Sequence, residues 1–113
     1  MAEIYHMLPA ATWAAARSQE RYAPDSLASE GFIHCTVGER NLIQVANRFY
    51  RDAPGEWVVL VIDPALIDRT VRWEPQPDGL AYPHIYGELN VSAVIGDTPF
   101  PRTNEGDFLP LFT

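Results

Sequence analysis

Residues 31–39 read GFIHCTVGE, and this stretch decides the fold class. Gly31 opens a short apolar run with a histidine at its centre. Alternate residues of a strand share a face, so Phe32, His34 and Thr36 point one way and Ile33 and Cys35 the other. Thr36 to Glu39 then spells T-x-x-E, the pattern in which a hydroxyl and a carboxylate satisfy the free N–H groups of a helix start. A strand over Gly31–Cys35 is therefore predicted to run straight into a helix. Leu42, Val45, Ala46 and Phe49 recur at helical spacing beyond it. Arg40, Gln44, Asn47 and Arg51 take the wet side, and the helix is expected to end near Asp52, before Pro54 and Gly55.

Working outward, Ile4–Leu8 reads as a first strand. Pro9 suits the first turn of a helix, where its missing N–H is no loss. That helix is predicted through AATWAAARSQ, with Trp13 on its packing face, and residues 20–30 are predicted as a loop. WVVLVID (57–63) is a continuous apolar run, the signature of a central strand covered on both faces. TVRWE (70–74) alternates like a half-buried strand, PQPDG is a turn, and PHIYG (83–87) and VSAVIG (91–96) are short strands. The tail from Pro99 to Thr113 is irregular, and Phe108, Leu109, Leu111 and Phe112 are expected to pack it down. The class is α+β, with about six short strands and two helices near the N-terminus.

At 113 residues the chain is expected to form one domain, 1–113, burying roughly 65% of its unfolded surface. The formal charge of −7 argues against bulk nucleic-acid binding, which rests on neutralising phosphates. The single cysteine, Cys35, cannot form an internal disulfide and fits a reducing compartment, so a cytoplasmic location is expected. MAEIYHML lacks a signal-peptide pattern, and no apolar run approaches the ~20 residues of a membrane span, so no membrane partner is expected.

Three histidines, His6, His34 and His84, each sit in a predicted strand. If their faces line one cleft, it holds these three with Tyr86 and Thr36. The plain reading makes each histidine a core hydrogen-bonder, Thr36 a cap and Tyr86 ordinary strand packing. Cys35 alternates away from His34, which removes it as a nucleophile. No short ligand spacing supports a metal. In RWEP, Trp73 is expected to be buried and Glu74 exposed, or else Glu74 is a carboxylate at the cleft rim, with Glu88 competing for that role. Arg48 belongs to a solvated helix face or reaches an anionic ligand.

The ordered series IYHM, ASEGFIHCT, ANRFY, VVLVID, VRWEP and PHIYG resembles the bacterial domain-of-unknown-function nine-five-two family, over about Ile4 to Val94. That resemblance implies an ADP-ribosyltransferase-like split, mixed β-sheet that holds NAD in its cleft. A second resemblance, to RNA 2′-phosphotransferases, matches their LYHGT-like strand to IYHM and their G…VHLS strand to GFIHCT. It implies that His6 lies against a ribose and that His34 and Thr36 line the NAD or phosphate site, with His84 or Tyr86 as a later cleft residue. The expected activity is NAD-dependent transfer with His34 and Glu74 as catalytic groups and Tyr86 stacking on the ligand. The start of the helix at Thr36 is expected to offer its N–H groups to an anion. Met7 and Leu8 depart from the Gly-Thr that allows close approach to the first strand. The alternatives are a non-catalytic cleft for an anionic metabolite and a protein-interaction domain.

Overall fold

The computed structural model describes residues 2–111. Its elements run β1 (Ile4–Pro9), α1 (Ala10–Ala16), β2 (Arg21–Tyr22), α2 (Asp25–Glu30), β3 (Ile33–His34), α3 (Glu39–Phe49), β4 (Trp57–Ile62), β5 (Thr70–Pro75), β6 (Ala81–Tyr86), β7 (Leu89–Asn90) and β8 (Val94–Phe100). Single turns of 3₁₀ helix occupy Pro64–Leu66 and Val91–Ala93. The α+β class stands. Two three-stranded sheets, β1-β4-β8 and β3-β6-β5, are accompanied by the short pair β2-β7. Every pairing of these strands is antiparallel, which corrects the expected mixed sheet. The two larger sheets meet where Tyr5 N–H donates to Thr36 O at 2.7 Å and Thr36 N–H to Tyr5 O at 2.8 Å.

WVVLVI is central, as its composition implies. Along β4, Leu60 and Ile62 join Ile4, Leu8, Trp13, Ile33, Cys35 and Ile85 in one core. Trp57 and Val59 point the other way, into a second core with Leu42, Ala46, Phe100 and Phe108. The strand is apolar throughout because it supplies two cores from alternate residues. β1 divides the same way. Ile4 and Leu8 enter the first core, and Tyr5 and Met7 pack against the second.

Several local expectations are corrected. Residues 20–30 hold β2 and α2 rather than a bare loop. Gly31 ends α2 in the left-handed conformation, φ 87°, its N–H bonded to Leu27 O, so it caps a helix and does not open a strand. β3 shrinks accordingly to Ile33–His34. Thr36 is not a helix cap. Its backbone is engaged by Tyr5, and α3 starts after Gly38 (φ 84°) with no side-chain cap. α3 ends at Phe49, short of Asp52.

The strand expected at 91–96 gives way over Val91–Ala93 to a 3₁₀ turn that follows buried Asn90. Its Nδ2 donates to Leu66 O and Ser92 Oγ, each at 2.9 Å, and its Oδ1 accepts from Asp68 N–H. That corner ends β7 and restarts the chain as β8. The tail packs as expected at Phe108, which is buried against the second core, with Leu111 partly buried beside it. Leu109 is 38% exposed, and Phe112 lies outside the described residues. No helix among the described residues is long and apolar enough to cross a membrane.

Candidate functional site

A cleft of about 750 Å³ opens where β1, the end of α2, β3, α3 and the turn between β5 and β6 converge. His6, His34 and His84 all line it, with Thr36 and Arg48. Tyr50 and Tyr82 give aromatic wall, and Phe49 is a largely exposed ring at the same surface. A cavity of this size fits a small organic ligand.

The three imidazoles are in different states of use. His6 shares its strand face with Ile4 and Leu8 and is buried. Its Nδ1 lies 2.7 Å from His34 O, and a carbonyl only accepts, so Nδ1 carries the proton. Nε2 must then accept from Tyr22 O–H, at 2.8 Å. Burial pulls the His6 pKa down to about 4, so the ring is neutral at pH 7. Both nitrogens are spent inside the protein.

His34 and His84 face each other across the β3–β6 pair, in direct register. Their ring centroids are 5.3 Å apart and the planes nearly perpendicular, at 77°. Phe32 stacks on His84, centroids 4.1 Å apart and planes 17° from parallel, and meets the His34 ring edge-on. Each ring has its own carboxylate. His34 Nε2 lies 2.7 Å from Glu30 Oε2, and His84 Nδ1 lies 2.8 Å from Glu74 Oε1.

Glu74 inverts the expectation for RWEP. Trp73 is 52% exposed, and Glu74 is the partly enclosed member of the pair. The register explains this. β5 is an edge strand, and Arg72 and Glu74 stand on the β6 face that carries His84 and Tyr86. Tyr86 O–H donates to the same Glu74 oxygen as His84. These two hydrogen bonds, Tyr86 first, hold the Glu74 carboxyl below the ordinary glutamate pKa. Glu74 does not line the cleft; it sits behind His84. Tyr86 does not line it either, its hydroxyl going to Glu74 and its ring lying under the Arg72 guanidinium at 5.0 Å. Glu88 is exposed and outside the cleft.

Cys35 is buried in the first core, and that burial pushes its thiol pKa up, away from thiolate chemistry. Arg48 supplies a cleft cation from α3, offset by Glu30 and Asp78. Asp78 is held below the ordinary aspartate pKa chiefly by Tyr82 O–H, which donates to it at 2.5 Å. α3 turns its flank, Gln44 to Phe49, to the cleft, not its first residues. The expected anion seat at that helix start is therefore corrected. Among the described residues no three His, Cys, Asp or Glu side chains group as metal ligands. Phe32 and Glu30 were not legible as site residues, because what recruits them is the cross-strand register and the end of α2.

Comparison with known proteins places this architecture. A family model described as "Protein of unknown function (DUF952)" matches residues 7–96. The crystal structure of protein CC0527 from Caulobacter crescentus superposes with a TM-score of 0.80 at 28% identity, covering 95% of this chain and 93% of that one. The solution structure of CC0527 gives 0.75 at 27% identity, covering 94% and 90%. No curated protein matches.

Proposed function

Taking as premise that the chain belongs to the DUF952 family of proteins of unknown function, we propose that its cleft binds NAD or a related nucleotide. The observation that carries this reading is the convergence of His34, His84 and Arg48 in one 750 Å³ cleft with Tyr50 and Tyr82 in its wall. Flat rings suit aromatic walls, sugar hydroxyls suit imidazole nitrogens, and a diphosphate suits an arginine. The junction of the β1 and β3 sheets at Tyr5 and Thr36, which brings IYHM and GFIHCT to the same cleft, also supports an ADP-ribosyltransferase-like reading.

Within that reading, binding is favoured over cleavage. A carboxylate that steadies a ribosyl cation has to stand next to it. Glu74 lies outside the cleft behind His84, and Met7 stands in β1 where the resembled transferases carry the glycine that lets a ligand come close.

Calorimetric titration and thermal-shift measurements with NAD, ADP-ribose and AMP test the reading. At least one of the three is expected to bind, and Arg48→Ala to weaken it about tenfold or more, the value of one charge-assisted hydrogen bond. If none raises the melting temperature, the cleft is not a nucleotide site.

A further inference from the structure

Once the protein's own hydrogen bonds are assigned, the cleft keeps two unused nitrogens. A carboxylate only accepts, so His34 Nε2 donates to Glu30 and His84 Nδ1 donates to Glu74. In the neutral ring the other nitrogen of each, His34 Nδ1 and His84 Nε2, carries a lone pair. Neither has a partner among the described residues. His84 Nε2 is not sealed off either, since Trp57 Nε1 is the only buried side-chain polar atom among them left without a partner. His6 offers nothing comparable, both its nitrogens being bound.

We propose that His34 Nδ1 and His84 Nε2 form a paired acceptor site for a vicinal diol, the two neighbouring hydroxyls of a ribose-like sugar. The rings lie opposite each other in register with centroids 5.3 Å apart, which puts the two free nitrogens within the span of one sugar. Two acceptors require two donors. A sugar lacking one hydroxyl leaves a lone pair unmatched, and one phosphorylated there replaces a donor with an anion. Glu30 and Glu74 are positioning residues, each fixing which nitrogen of its histidine holds the proton. Phe32 holds the His84 plane by stacking. The proposal deepens the nucleotide reading by naming the part of the ligand that these two rings select.

The test is a titration of the full chain followed by the ¹⁵N signals of its imidazoles. Methyl β-D-ribofuranoside is expected to move the His34 and His84 signals and leave His6 unmoved. Its 2-deoxy and 3-deoxy counterparts are expected to bind about tenfold more weakly, the loss of one hydrogen bond. Equal effects of all three sugars, or no effect of the riboside, overturn the paired site. Glu74→Ala is expected to shift His84 towards the Nε2–H tautomer, and Glu30→Ala, at an exposed helix end, to shift His34 towards Nδ1–H. Unchanged tautomers in both variants overturn the positioning role. NAD added to the same sample separates the two readings. A riboside response without an NAD response keeps the diol site and removes the nucleotide. NAD binding with indifference to the deoxy sugars does the reverse.

Discussion

His6 is a buried base that the fold keeps neutral. Its Nδ1–H is given to His34 O and its Nε2 takes the Tyr22 hydroxyl, so an added proton would displace the tyrosine donor. Burial, the larger cause, lowers its pKa from 6.5 to about 4. The unfolded chain then binds more protons than the folded one between these values, so stability falls as pH drops from 6.5 towards 4. The full loss is on the order of 3 kcal/mol. Urea unfolding at pH 7 and pH 4.5 is expected to show a smaller pH-dependent loss for His6→Gln than for the wild type. The comparison cancels the carboxylates that both proteins share. Equal losses would mean that His6 does not carry the linkage. The face that His6 takes was legible in the sequence, but the partners of its nitrogens were not. The period of β1 put it with Ile4 and Leu8, and only the third dimension supplied Tyr22 and the carbonyl that spend both nitrogens.

At the scale of elements, β4 is the part most readable in advance. Its unbroken apolar run has one physical use, a strand with a core on each face. Leu60 is fully buried in the first core, and Leu60→Ala is expected to cost about 2–5 kcal/mol in chemical denaturation. A cost below 1 kcal/mol would deny that the face is closed. The start of α3 was less readable. T-x-x-E matched a capping box, but Thr36 was claimed by the bridge to Tyr5, and the turn passed to Gly38 at φ 84°, ψ 135°. That backbone is open essentially to glycine, so Gly38→Ala is expected to lower stability by about 1–3 kcal/mol. An unchanged unfolding midpoint would contradict it. α2 and β2 were missed because six residues and two residues carry too little periodicity to register. Their stability comes from contacts distant in sequence.

The whole molecule is two antiparallel sheets that meet at one bridge, with a core on each side of β4 and a cleft beside the meeting point. Strand period offered one cleft for the three histidines only as a condition, and it is the packing of β1, β3 and β6 that brings them to the same opening. Which two of them are free was not legible, because that depends on the carboxylates of Glu30 and Glu74, set by a helix end and by the β5–β6 register. Glu74 reads from the sequence as a cleft carboxylate, but it stands behind the cleft and holds the His84 imidazole that lines it. The central claim is that the open pair His34 and His84, with Arg48, is a ligand site for a nucleotide. The most direct measurement is a backbone and imidazole chemical-shift map of the full chain titrated with NAD. Saturable shifts concentrated at His34, Arg48 and His84, with His6 little changed, are the predicted result. Shifts scattered away from the cleft, or none at saturating NAD, would contradict the claim.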